Sequence, residues 1–125
     1  MGAPLIPIFH KYLFGQNGAE SAVINIGGIS NGTWLVDGNI ECATDIGPGN
    51  CLMDMATSFY GHGDFDKDGN LASQGKLIIE LKNSLMKVFL EYGYPRADDI
   101  SAYTSIHKSK LDKNYKAEDV LFTLS

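Results

Sequence analysis

The sequence predicts an α/β fold, a three-stranded antiparallel meander flanked by helices. Three observations predict it. Residues 22–46 hold three short runs rich in β-branched and apolar residues. Two pairs suited to tight turns, Asn31-Gly32 and Asp37-Gly38, separate those runs. A helical period follows downstream, in which Leu77, Ile78, Leu81, Leu85, Val88, Phe89 and Tyr92 recur at spacings of three and four.

Taken in order, residues 3–14, APLIPIFHKYLF, read as a helix. Pro4 suits a first helical turn, and Ile6, Phe9 and Leu13, with Ile8 and Tyr12, form its apolar face. GQNGAE breaks it. The strands are AVINIGGI, TWLVD and NIECATDI, and two tight turns in succession make the meander antiparallel. GPGN ends the third strand. Asn50 is a candidate cap for the helix CLMDMATSFYG, near residues 50–60, with Leu52, Met55, Ala56 and Phe59 as its apolar face. The long period predicts a second helix over 71–92, stopped by Gly93 and Pro95. Residues from Pro95 onward are polar and weakly periodic until AEDVLFTLS, which opens another helix.

Composition narrows the function. The chain has 125 residues, enough for one domain at most. A net charge of −5, with Lys108, Lys110, Lys113 and Lys116 dispersed among Asp112, Glu118 and Asp119, gives no footprint for nucleic acid. No apolar run is long enough to span a membrane, and Pro4 and Pro7 spoil the start as a signal peptide. The expectation is a soluble, cytoplasmic protein. Cys42 and Cys51 are not in a C-x-x-C arrangement, and His10, His62 and His107 are scattered, so no zinc spacing appears.

The stretch DFDKDGN, residues 64–70, begins like a calcium loop, with Asp64, Asp66 and Asp68 alternating ahead of Gly69. Such a loop needs a bidentate Glu at its twelfth position. Counting from Asp64, that position is Gly75, and Glu80 lies five residues too late. The loop reads instead as an acidic connection between two helices, with no metal assigned.

Two glycine-rich segments could carry chemistry. NIGGISN places Gly27 and Gly28 late in a strand, flanked by Asn25, Ser30 and Asn31. Taken alone, glycine there is better read as a bulge in an ordinary hairpin, and it also fits a backbone that a phosphate can approach. DIGPGN has the same two readings. Asp45 at a strand end could hold magnesium through water. Gly47 and Gly49 would admit a ligand near the helix that Asn50 opens.

In order and at close spacing, GAPLIPIFHKYLF, NIGGISN, DIGPGNCLMD and FDKDGNLASQG resemble the anhydro-N-acetylmuramic acid kinase family of bacterial cell-wall recycling. The resemblance is close over residues 2–75 and looser beyond. It implies a ribonuclease H-like, actin-like ATPase lobe, of which residues 1–125 are part, with 96–125 as a diverged tail. It implies an ATP- and magnesium-dependent kinase acting on an amino sugar, with the ring opened by water and O6 phosphorylated. Asn25 to Asn31 would be one phosphate loop, and Asp45 to Asn50 would lie further along the nucleotide cleft. Asp66 and Asp68 would be turn and cap residues before the long helix.

The resemblance also has departures. The family's G-T-S-x-D-G loop and its water-activating aspartate match nothing in this chain, so no residue here is assigned a catalytic role. Phe is usual where Thr44 stands and Thr where Ile46 stands, and YTSIHKSK replaces an S-T-G-R-E run. The implied partners are the sugar, ATP, and a polypeptide supplying the other lobe or a homodimer mate. The alternative is a nucleotide- or phosphate-binding module without activity of its own.

Overall fold

A computed structural model describes residues 5–91, 93, 96–111 and 114–125. The chain divides into two compact units, Met1–Gly49 with Gly93–Asp98, and Asn50–Tyr92 with Asp99–Ser125.

The first unit is built on the meander. Strands β1 (Glu20–Ile26), β2 (Ile29–Val36) and β3 (Asn39–Pro48) lie in the order β1-β2-β3 and both pairs are antiparallel. Ile24 and Trp34 are in strands, as the reading requires. The Asp37-Gly38 hairpin forms with Val36 opposite Asn39. Both turn residues are left-handed, at φ 48° and 71°, the backbone of a type I′ turn. Asp37 Oδ1 also accepts the Gly18 N–H at 2.9 Å, which ties the turn to the segment before β1.

The first hairpin is not where Asn31-Gly32 predicts it. Ile26 pairs with Ser30, so the chain turns at Gly27 and Gly28, between β1 and β2, while Asn31 lies within β2 opposite Asn25. The reason lies in β3. Gly32 stands opposite Thr44, and a β-carbon on it would come within 3.1 Å of the Ile46 side chain. Gly32 thus makes room on the sheet surface rather than a turn.

Helix α1 (Leu5–Phe14) packs on this sheet, but not by its expected apolar face. Ile6, Ile8, Phe9, Tyr12 and Leu13 are all exposed, and His10 is the buried one among the described side chains. Its Nδ1 meets the buried Thr33 Oγ1 at 2.9 Å, so each polar group satisfies the other.

In the second unit α2 (Cys51–Phe59) and α3 (Ile79–Leu90) pack against α4 (Ile100–Lys110) and α5 (Ala117–Leu124). The core joins Leu52, Ala56, Leu81, Leu85, Tyr103, Ile106, Val120 and Leu121. Val120 and Leu121 are fully buried, each worth about 1.5–3 kcal/mol of burial. Helix α4 was not legible in the polar stretch after Pro95; among its described side chains it buries Tyr103 and Ile106. Asp99 starts it by accepting the Ser101 N–H at 2.8 Å. That bond to the Ser101 backbone holds the Asp99 carboxyl below its usual range. Its support of the helix start is therefore complete at neutral pH and fades as pH falls through the lowered value.

The helix expected over 71–92 begins only at Ile79, and Tyr92 lies outside the described residues. Residues 75–78 are instead drawn along α5. Lys76 N–H donates to Asp119 Oδ1 at 2.8 Å and Ile78 N–H to Thr123 Oγ1 at 2.9 Å. A β-carbon at Gly75 would fall on the Glu118 carbonyl oxygen, so glycine is required there by packing.

The acidic loop resolves in the same unit. Asp66 accepts the Leu71 and Ala72 N–H groups, one on each carboxylate oxygen, both at 2.9 Å. Asp68 takes a left-handed turn conformation, φ 58°. Asp66 therefore starts the short 3-10 turn Ala72–Gln74. Asp66→Ala is expected to cost about 1–3 kcal/mol, the weight of bonds to a charged acceptor. Adding calcium and then chelator should leave the melting temperature of the parent unchanged. A micromolar calcium response that vanishes in Asp66→Ala would reverse this assignment.

Candidate phosphate-facing turn

The two glycine-rich segments meet in the first unit. Gly49 N–H donates to the Gly28 carbonyl at 2.9 Å. A β-carbon on Gly49 would overlap the Gly27 carbonyl oxygen and lie 3.0 Å from Ser30 Oγ. Ser30 is buried and pairs with Gly47. Gly27, Gly28, Ser30, Gly47 and Gly49 therefore form one backbone-on-backbone closure. Beside it Asn25, Asn31 and Asp45 stand opposite one another across the three strands. Directly opposed residues share a face, so these polar side chains form one row.

Gly49 is a glycine because the fold needs one. Gly27 and Gly28 are different. Neither has a positive φ. A β-carbon at Gly28 would meet nothing within 4 Å, and one at Gly27 would make only ordinary contacts, at 3.8 and 3.9 Å. Among the described residues nothing in the packing demands glycine at either position. Glycine in a strand end of this kind marks a bulge, a tight bend, or close approach by a ligand or another stretch of backbone.

Asp45 is held firmly. Its N–H donates to the Arg96 carbonyl at 3.0 Å, and its Oδ2 accepts the Asp98 N–H at 2.7 Å. Thr44 Oγ1 accepts the Arg96 N–H at 2.8 Å, and Arg96 Nη2 donates to the Ile46 carbonyl at 2.8 Å. Arg96 also pairs with Asp98 at 2.9 Å. None of these partners was visible in the sequence, because 52 residues separate Arg96 from Thr44.

Asn50 belongs to the second unit. It occupies the N-cap position of α2, yet its side chain makes no capping bond and its backbone is already helical, φ −79° and ψ −15°. Capping asks for an extended residue whose side chain folds back, so the expected cap does not form. The Asn50 carbonyl still accepts the Asp54 N–H at 2.9 Å, which begins the helix.

A family model described as anhydro-N-acetylmuramic acid kinase matches residues 1–125. Curated proteins of that name are similar to the chain. One from Gamma-proteobacterium EBAC31A08 is 38% identical over 124 residues, 98% of this chain and 34% of that protein. One from Aliivibrio fischeri is 36% identical, with the same two shares. One from Legionella pneumophila (strain Corby) is 42% identical over 86 residues, 69% of this chain and 24% of the relative. The chain thus spans about a third of the length of the relatives that match nearly all of it. Among the described residues no helix is long and apolar enough to cross a membrane.

Proposed function

The chain belongs to the anhydro-N-acetylmuramic acid kinase family, and from that premise we propose that it supplies one phosphate-facing turn of such a kinase. The observation that carries the proposal is the pair Gly27-Gly28, glycines that the fold does not need. Both units are read as parts of one ribonuclease H-like, actin-like lobe in a cytoplasmic enzyme.

In the complete enzyme, ATP is consumed while water opens the 1,6-anhydro ring of the sugar and O6 is phosphorylated. The product is N-acetylmuramic acid 6-phosphate. This chain's part is binding and orientation. The backbone at Gly27 and Gly28 lets phosphate oxygens approach, and Asn25 and Asn31 offer side-chain amide donors beside it. Asp45 has the oxygen chemistry that a water-bridged magnesium ion asks for, with one oxygen already bonded to Asp98. Bound magnesium would neutralise phosphate charge. Ser30, Gly47 and Gly49 support the turn from behind. A polypeptide supplying the opposite lobe completes the site. The second reading is a nucleotide- or phosphate-binding module without activity of its own, supported by the same two glycines.

Gly28→Val separates the two roles a glycine can have. Its β-carbon enters open space, so the melting temperature should stay within a few degrees, as for a surface change of about ±0.5 kcal/mol. Amide shifts caused by MgATP at Gly27, Ile29 and Asn31 of the isotopically labelled chain should disappear. A variant that keeps the parent's MgATP response would overturn the proposal.

A further inference from the structure

We infer that Arg96 is a positioning residue for this turn, acting through a strap formed by residues 96–98. The inference deepens the phosphate reading above and rests on it for its functional half. The strap attaches at three successive residues of β3, namely Thr44, Asp45 and Ile46, immediately before Gly47. That is one of two places where β3 leaves its regular course. Ser30 pairs with Gly47 but Asn31 with Asp45, so Ile46 is an extra residue in β3, a bulge. Bulged backbone loses its place in the ladder, and its groups need other partners. The Arg96 guanidinium supplies one to the Ile46 carbonyl.

Two further features favour arginine here. Its side chain is only 8% exposed and its Asp98 partner 11%, so their ion pair is largely screened from water and aims the guanidinium. A β-carbon at Gly47 would lie 3.3 Å from Nη2. Glycine at 47 therefore lets the guanidinium lie along the backbone. The glycines of GPG have separate clients, Gly47 for Arg96 and Gly49 for the Gly27-Gly28 turn. Holding the bulge fixes the direction in which β3 exits, and that direction delivers Gly49 N–H to the Gly28 carbonyl. Thr44 is the second anchor, because its hydroxyl accepts the Arg96 N–H.

The test uses the labelled 125-residue chain with two measurements, amide hydrogen exchange and MgATP titration. In Arg96→Ala the Gly49 and Asp98 amides should lose protection about tenfold or more, as expected for losing a bond to a charged donor. The Val23 amide, in the β1–β2 ladder, should not change. The MgATP dissociation constant should rise by a similar factor. Thr44→Val, nearly the same shape, should act in the same direction, and Thr44→Ser should restore both readouts. The Thr44 pair keeps the test decisive if Arg96→Ala does not fold. Unchanged Gly49 protection in both Arg96→Ala and Thr44→Val overturns the strap. A parent chain that shows no MgATP response overturns the phosphate reading, and the functional half of this inference with it. The exchange data then still decide whether the strap holds Gly49.

Discussion

No ADP above the buffer rate is expected when the 125-residue chain is incubated by itself with ATP, magnesium and anhydro-N-acetylmuramic acid. Phosphoryl transfer is catalysed mostly by positioning and by neutralising charge around the γ-phosphate. The described residues offer one glycine turn and, near it, the carboxylates of Asp45, whose Oδ2 is already committed to the Asp98 N–H, and of Asp98, which is paired with Arg96. Asp54 lies on α2 in the other unit, and nothing in the sequence or structure gives it the role of base. General base catalysis alone contributes on the order of a hundred- to ten-thousand-fold, and an incomplete phosphate cage removes more. Coexpression with the remaining two-thirds of the Aliivibrio fischeri relative is the arm in which turnover should appear. Turnover by the chain alone, abolished by Gly27→Val or Asp45→Ala, would show that the site is more complete than argued.

Gly49→Ala is expected to cause the largest loss of stability among the substitutions considered. The added β-carbon would overlap the Gly27 carbonyl oxygen, which is backbone and cannot swing aside. Ser30 Oγ, at 3.0 Å, closes another direction, and Ser30 is buried. Relief requires β3 to withdraw, which breaks the Gly49 N–H bond to Gly28. Overpacking costs about 1–3 kcal/mol and a lost backbone bond about 0.5–1.5 kcal/mol. A total of about 1.5–4.5 kcal/mol is a large part of the roughly 5–15 kcal/mol that holds a small domain folded. Urea denaturation of Gly49→Ala beside Gly28→Ala measures the contrast. Equal midpoints would mean that the closure between β3 and the first hairpin does not support the fold.

What the sequence by itself determined was local. Asp37-Gly38 predicted its hairpin correctly because left-handed φ at two adjacent positions is a property of the dipeptide. The strands, α2 and α5 followed from β-branched runs and short apolar periods. The polar residues near the glycine turns were visible for the same reason, since their spacing is fixed along the chain. Tertiary structure decided whatever depended on a distant partner. Asn31-Gly32 was drawn into β2 because Gly32 lies under Ile46, and a ladder outweighs a turn preference. Helix α3 starts late because Asp119 and Thr123 capture the backbone before it. His10, rather than the apolar side of α1, is buried because Thr33 satisfies it. The two uses of glycine could be told apart only in three dimensions. Gly49 lacks a side chain because a carbonyl stands where one would go, and Gly28 lacks one where the space is open.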